Sequence, residues 1–255
     1  LVAVLIAGVA WRLARYALGM PLWGDEAALA LNFLDRGFGD LLAPLDNAQV
    51  APVLFLWLEK LALIILGTSE WALRFLPVVA GLLGLALFCR LAHRMLEPLP
   101  AALATAILAV SYFSVRHAVE VKPYSCDLLV STALLLCVVE YLRAPRRNAL
   151  VAWALVAPTA VLVSYPGVFV FGASALVLLG KMRRTRAGER VIWTAGFLLG
   201  TLAFFWMLEA VSSRQYTALE TPMTTYWKES FPPKDIWEAP LWFLNITAGN
   251  MLAYP

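Results

Sequence analysis

Residues 149–180 have the sequence ALVAWALVAPTAVLVSYPGVFVFGASALVLLG, which contains no charged side chain over 32 positions. As a single α-helix this stretch would be about 48 Å long, whereas the hydrocarbon core of a bilayer is about 30 Å thick. Near its middle, Ser164-Tyr165-Pro166-Gly167 combines residue types that interrupt helices. The stretch therefore predicts two consecutive membrane helices that are separated at this break.

The composition of the whole chain is that of a membrane protein. Hydrophobic residues make up 62% of its 255 positions and charged residues 15%, with a mean hydropathy of +0.76. Soluble domains are about 45–50% apolar and about 25% charged. The apolar runs are continuous and lack the alternation of a β-barrel. We predict an all-α, polytopic transmembrane helix bundle of about seven spans, near residues 1–20, 71–92, 99–117, 125–142, 149–164, 166–180 and 191–209.

The cysteines and histidines predict no structural metal or disulfide framework. Cys89, Cys126 and Cys137 are odd in number and form no C-x-x-C motif, and the chain has only two histidines. We therefore predict no metal site and no cofactor; a divalent metal stays possible but nothing indicates one. We also expect no nucleic-acid partner.

The segment Pro52–Gly67 leaves two topologies open, because it is apolar but carries Glu59 and Lys60 at its centre. If it does not span, the loops that hold ten basic and three acidic residues share one side. The positive-inside rule places that side in the cytoplasm, with Asp25-Glu26 outside. If the segment spans, Asp25 moves to the side of the basic loops. The central charged pair favours an interfacial or re-entrant helix.

The acidic pair lies in Trp23-Gly24-Asp25-Glu26, directly after the first apolar segment. Carboxylates at the mouth of a span are costly and usually pair with a cation or carry a function. Asp25 could cap the amphipathic surface helix that we predict at Glu26–Arg36, and it could also be catalytic. The two interpretations do not exclude each other. Residues 21–70 would then form an outer loop with interfacial amphipathic helices.

A second cluster of charged residues lies in the predicted outer turn 116–127. Its Pro123 disfavours a helical conformation at the preceding residue and so turns Lys122 out of the helix. The turn is either a polar hairpin whose cations reach lipid headgroups or part of a site. The charged residues of this turn are Arg116, His117, Glu120, Lys122 and Asp127.

Two arginines in the first span and an aromatic-rich tail complete the candidate features. Arg12 and Arg15 are three residues apart on one helical face, where they either pair with acidic side chains or bind a lipid phosphate. Residues 210–255 are rich in Trp, Tyr and Phe, as in an interface belt or a carbohydrate-stacking surface. We therefore divide the chain into a membrane module, 1–209, and an outer aromatic-rich loop, 210–255.

The order of these motifs resembles that of the GT-C glycosyltransferases. A first span ends in a Trp-x-Asp-Glu turn, an amphipathic helix follows, and the next helix opens with Ala51-Pro52. The turn VEVKPYSCD, residues 119–127, resembles their second signature. The closer likeness is to the bacterial RgtA/B/C/D-like branch, related to the protein O-mannosyltransferases and the aminoarabinose transferase of lipid A. The chain starts within an apolar run and ends without a closing helix, so we expect it to be the N-terminal half of a larger enzyme.

The resemblance implies a function in the cell envelope. These enzymes move a sugar from a polyprenyl-phosphate donor to a lipid, glycan or protein acceptor. It implies an integral protein of the bacterial inner (plasma) membrane with its active site on the periplasmic side. Asp25 corresponds to the essential first-loop aspartate, and Asp127, with Glu120 as the alternative, to the second acidic position. Some relatives have Lys or His just before the proline at position 52, and this chain has neither. We therefore assign the phosphate contacts to cations elsewhere, namely Lys122, Arg116, His117, Arg12 and Arg15.

The chemistry needs a base and a stabilised leaving group. Asp25 could take the proton of the acceptor hydroxyl while nearby cations stabilise the departing phosphate. Direct displacement would invert the anomeric centre, and Glu26 would orient Asp25 or a cation. The alternative class is a membrane transporter or lipid flippase without catalytic chemistry, which usually has interrupted helices in matching positions of two halves. The chain has one Pro-Gly break and no internal repeat. A non-catalytic scaffold half is a third possibility.

Overall fold

The protein is helical in its computed structural model, which describes residues 2–183, 185–212, 214–215 and 232–249. No strand occurs in these residues, and the predicted all-α fold is confirmed. The helices of the first unit, residues 1–215, are α1 (Val2–Ala17), α2 (Gly24–Asp35), α3 (Val53–Leu66), α4 (Glu70–Met95), α5 (Pro98–Val110), α6 (Tyr112–His117), α7 (Tyr124–Arg143), α8 (Arg147–Val163), α9 (Gly167–Met182) and α10 (Ala187–Met207).

The second unit comprises residues 216–255. Its described part contains α11 (Ala239–Leu244), which continues into a π-helical turn, Asn245–Gly249. Half of the aromatic-rich loop that the sequence predicts at 210–255, including residues 216–231, lies outside the described residues.

Helices occur at all the predicted spans. Three of them, α4, α7 and α10, are long and apolar enough to cross a membrane, and α5, α8 and α9 are apolar but shorter. The predicted span near 99–117 consists of two helices, α5 and α6, which are separated at Ser111. These helices fit a membrane bundle.

The uncharged stretch breaks where the sequence predicts. Helix α8 ends at Val163 and α9 begins at Gly167. The fully buried Ser164 accepts a hydrogen bond at its Oγ from the backbone N–H of Gly167, at 2.9 Å. This hydroxyl satisfies one of the free N–H groups at the start of α9.

The end of α1 adjoins the beginning of α4. The Tyr16 hydroxyl donates to the carbonyl oxygen of Trp71 at 2.8 Å, and Arg74 donates to the carbonyl oxygens of Met20 and Pro21. The chain therefore leaves α1 and enters α4 at the same end of the bundle. Helices α2 and α3 lie between these two helices in sequence, so the segment that contains them begins and ends at this same end, as expected if α3 does not span the membrane.

Helix α3 is anchored to α2 through Lys60, one of its two central charged residues. Lys60 Nζ donates to the carbonyl oxygen of Phe33 at 2.7 Å, which places a cation at the C-terminus of α2. Glu59 is fully buried, and neither carboxyl oxygen has a hydrogen-bond partner in the described part of the chain. Burial raises the pKa of Glu59 well above its ordinary value, so the neutral form of its carboxyl group is favoured.

The opposite end of the bundle carries the basic loops. Arg90 and Arg94, near the end of α4, form ion pairs with Glu140 of α7, each at 2.9 Å. Tyr141 of α7 donates to Glu189 of α10 at 3.1 Å. The ends of α4 and α7 and the start of α10 thus meet far from Asp25. The basic loops are thus concentrated at one end of the bundle, which is the pattern that the positive-inside rule describes.

The path of α3 can be tested by labelling single cysteines with a membrane-impermeant thiol reagent. Ala43→Cys and Thr68→Cys, before and after α3, should react from the same side of the membrane. Asn148→Cys, at the basic end, should react only from the other side. The background replaces the native Cys89, Cys126 and Cys137 by alanine. Labelling of positions 43 and 68 from opposite sides would show that α3 spans.

Candidate active site

Glu26 joins three segments of the chain at the end of the bundle where α1 ends and α4 begins, which is called the outer end below. It lies in the first turn of α2 and is 2% exposed. One carboxylate oxygen accepts from the backbone N–H of Val121 at 2.8 Å. The other accepts from Arg74 at 3.0 Å and from the backbone N–H of Trp23 at 3.3 Å, as in a capping box. Glu26 is thus enclosed by donors and holds α2, α4 and the 118–123 loop together.

Asp25, the neighbouring carboxylate, is the accessible member of the pair. Its side chain is 38% exposed. One oxygen pairs with Lys122 Nζ at 2.8 Å, and the other accepts from the side-chain amide of Gln49 at 3.0 Å. Lys122 also donates to the Gln49 oxygen at 2.8 Å, which closes a ring of three polar side chains. This ring fixes the orientation of Asp25 and leaves part of the carboxylate exposed to solvent.

Glu120 is the centre of a second polar group in the same region. It accepts hydrogen bonds from Arg116 at 3.1 Å, from His117 Nδ1, and from the Trp23 indole N–H at 3.1 Å. The Arg116 guanidinium also lies 5.7 Å from the centre of the Trp23 ring, in a cation–π contact. Burial opposes the charged form of Glu120, but His117 and Arg116 outweigh it and lower the pKa of this carboxyl group below its ordinary value.

A cavity of about 240 Å³ lies between Glu26 and Glu120. Glu26 and Glu120 line it, and each is paired with an arginine that also lines it. Arg15 of α1 is the third arginine of the lining, and its buried Nε has no hydrogen-bond partner in the described residues. The lining therefore carries one cation in excess of its carboxylates. The remaining lining residues include Met20, Pro21, Trp23, Tyr112 and Val119.

Arg12 and Arg15 of the first span, for which the sequence predicts the same role, have different environments in the structure. Arg12 is fully buried between α1 and α5, and it donates to the carbonyl oxygen of Ala109 at 2.8 Å and to the Ser114 hydroxyl at 2.6 Å. It therefore stabilises helix packing and is absent from the cavity lining. Arg15, one turn later, reaches the cavity.

The remaining predicted site residues, Asp127 and His117, have different neighbours. Asp127, in the first turn of α7, interacts with the Ser164 side chain, and its Oδ1 is buried without a hydrogen-bond partner among the described residues. The His117 ring packs 4.5 Å from that of Tyr124. Within the described ranges, no three His, Cys, Asp or Glu side chains are grouped closely enough to hold a metal ion.

Sequence reasoning missed Gln49 as a site residue. An amide that bridges two charged side chains has no sequence signature of its own. The pairing of Arg74 with Glu26 also has no local signal, because the two residues are 48 positions apart in sequence.

The apolar helices and the collection of charged groups at one end fit an integral membrane protein. The model of one family, described as Dolichyl-phosphate-mannose-protein mannosyltransferase, matches residues 50–208. This match covers more than half of the chain, so the chain belongs to that family, whose class is that of the membrane glycosyltransferases of the GT-C type. The resemblance drawn from the motifs is thereby confirmed. No curated protein and no solved structure matches the chain.

The family match includes one part of the site and leaves out another. Residues 50–208 contain Glu120 and Lys122 but begin after Asp25 and Glu26. The contacts of Lys122 with Asp25 and of Val121 with Glu26 connect the matched region to the acidic pair. The role of the pair therefore rests on its geometry.

Removal of the Glu26 charge should destabilise the fold. Glu26→Gln leaves Arg74 buried without a counter-charge, and breaking a buried ion pair in this way costs about 3–5 kcal/mol. We expect a clearly lower Tm in detergent, measured by intrinsic fluorescence. Asp46→Asn is the matched control, because it breaks an exposed ion pair with Arg36 that contributes about 0–1 kcal/mol. Equal Tm values for the two variants would contradict the structural role of Glu26.

Proposed function

We propose that the protein transfers a sugar from a polyprenyl-phosphate donor to a hydroxyl group of a lipid, glycan or protein acceptor. The family description supports the donor class, since dolichyl-phosphate-mannose is a sugar carried on a polyprenyl phosphate. The observation that carries the proposal is the position of Asp25. It is an accessible carboxylate that is held by Lys122 and Gln49, and the next residue in sequence, Glu26, lines the arginine-rich cavity.

Asp25 acts as the base in this proposal. As the acceptor oxygen attacks the anomeric carbon, its proton passes to the Asp25 carboxylate. The bond between the anomeric carbon and the phosphate oxygen breaks, and the electron pair leaves with the phosphate. Attack from the face opposite the phosphate inverts the configuration. Lys122 and Gln49 hold the carboxylate in one orientation. This lowers the entropy cost of aligning it with the acceptor hydroxyl in each turnover.

The cavity binds the phosphate of the donor. A polyprenyl phosphate that carries a sugar is a phosphodiester with one negative charge, and the cavity lining has one cation in excess. Arg15 is the cation whose charge is not matched by a carboxylate in the lining, and Arg116 lies at the same wall. Both can stabilise the second negative charge that the phosphate gains as the bond breaks. The volume of about 240 Å³ suits a phosphate group and part of a sugar.

The active end faces away from the cytoplasm in this proposal. The loops at the other end hold ten basic and three acidic residues, and short basic loops stay in the cytoplasm. In a bacterium this orientation places Asp25 on the periplasmic side of the inner membrane, where lipid-linked sugars reach their acceptors.

Asp25→Asn should abolish sugar transfer without unfolding the protein. Loss of a general base lowers turnover by about 10²–10⁴-fold, whereas the asparagine side chain has the same size and its oxygen can still accept a hydrogen bond from Lys122. The measurement is transfer from a synthetic polyprenyl-phosphate sugar by the full-length, reconstituted protein, with Tm as the test of folding. Asp35→Asn, an exposed change on the same helix, is the control. Full activity in a folded Asp25→Asn protein would rule out Asp25 as the base.

Arg15→Gln should weaken donor binding. The loss of one charge-assisted contact to phosphate is expected to raise the KM for the donor by about tenfold or more, and Arg15→Lys should restore part of this loss. Arg36→Gln, which removes an arginine paired with Asp46 outside the cavity, should leave the donor KM unchanged. Equal donor KM values for Arg15→Gln and the wild type would exclude Arg15 from the phosphate site.

A further inference from the structure

A second and larger cavity lies at the opposite end of the bundle, among the ends of α7, α9 and α10. Its volume is about 910 Å³. Lys181, Arg183 and Arg186 line it together with a single carboxylate, Glu189. Another part of its wall is apolar and includes Leu142 and Val177. The cavity thus combines a cationic side with an apolar side.

The three cations of this cavity are not neutralised by the protein. No ion pair of Lys181, Arg183 or Arg186 occurs in the part of the chain that the structure describes. Glu189 already accepts a hydrogen bond from Tyr141 at 3.1 Å. All three cationic side chains are exposed, so they can move onto a ligand. The cavity therefore has an excess of positive charge that favours an anion.

The apolar wall distinguishes a lipid from a free anion. Val177 is half exposed, and Leu176 and Leu179 beside it on α9 are also exposed, so the cavity opens onto an apolar helix surface. A phospholipid has its headgroup and its acyl chains in this same arrangement, with the phosphate at the membrane surface and the chains along the helices. Basic pockets between membrane helices are known binding sites for anionic lipid headgroups.

We propose that this cavity binds an anionic phospholipid, with its phosphate between Lys181, Arg183 and Arg186 and its acyl chains along α9. The lipid would fasten α9 and α10 to α7 at the end of the bundle that lies far from Asp25. The proposal is independent of the transfer reaction, because none of these residues belongs to the candidate active site.

Native mass spectrometry of the full-length protein tests the proposal, with phosphatidylglycerol and phosphatidylcholine as probes. The wild type should retain phosphatidylglycerol in preference to phosphatidylcholine. Arg183→Gln/Arg186→Gln should lower the affinity for phosphatidylglycerol by about 30-fold, given the usual contribution of two basic side chains at a membrane surface. Lys181→Gln alone should lower it by a smaller factor and serves if the double variant does not fold.

The matched control removes two arginines from the same end of the bundle but outside the cavity. Arg146→Gln/Arg147→Gln should retain the lipid as the wild type does, because neither side chain lines the cavity. Equal losses in both double variants would show a general surface attraction and overturn the proposal, as would equal retention of the two lipids. Displacement of the lipid by an equal concentration of inorganic phosphate would show that the site takes the phosphate group alone and would also overturn it.

Discussion

The buried ion pair between Glu26 and Arg74 is the contact on which the outer end of the bundle depends. An ion pair in a poorly hydrated interior is stabilised by further hydrogen bonds to both groups, and of the side-chain atoms of this pair only the buried Arg74 Nε has no partner among the described residues. Here the carboxylate takes two backbone N–H groups besides the guanidinium, and Arg74 donates to two carbonyl oxygens at the end of the α1–α2 connection. One side chain of α4 thus fixes the beginning of α2 relative to the 118–123 loop. Asp25 and Lys122 meet because their neighbours, Glu26 and Val121, are bound to each other.

The same geometry gives each charged side chain of the outer end a distinct environment. Glu26 is enclosed by donors, whereas Asp25 keeps an exposed face. Three of the cations each have a carboxylate partner. These ion pairs are Arg74 with Glu26, Lys122 with Asp25, and Arg116 with Glu120. Arg15 has no such partner in the described residues. A site with nearly all its charges paired is rigid, and in the proposed reaction its single excess charge binds the phosphate of the donor.

The sequence predicted the helices well and the contacts between them poorly. The break at residues 164–166 and the span positions follow from local composition, because apolar length and helix-breaking residues act within a few turns. The path of Pro52–Gly67 does not follow from its own composition, since it depends on the approach of Tyr16 to Trp71. Arg12 and Arg15 share a helical face, and only the position of α5 decides that the first is buried and the second lines a cavity.

The position of Asp25 directly after a predicted span is a local signal that marks it as a candidate site residue. Its partners could not be predicted in the same way. Gln49 and Lys122 reach Asp25 from two other segments, and this depends on long-range packing that periodicity does not encode. Asp127 illustrates the converse. Its position in the turn made it a candidate, yet its contacts are with Ser164, at the break between α8 and α9, outside the ring around Asp25.

The break at Ser164 has a further consequence for the surrounding bilayer. Helices α8 and α9 contain 17 and 16 residues, so each is about 25 Å long, a few ångströms less than the hydrocarbon core. A bilayer adapts to short apolar helices by becoming locally thinner. Beside this hairpin the headgroups therefore lie closer to the middle of the membrane than elsewhere. The phosphate of a lipid beside α8 and α9 therefore lies closer to the middle of the membrane, and less of the lipid chain has to leave the hydrocarbon to bring that phosphate to protein side chains.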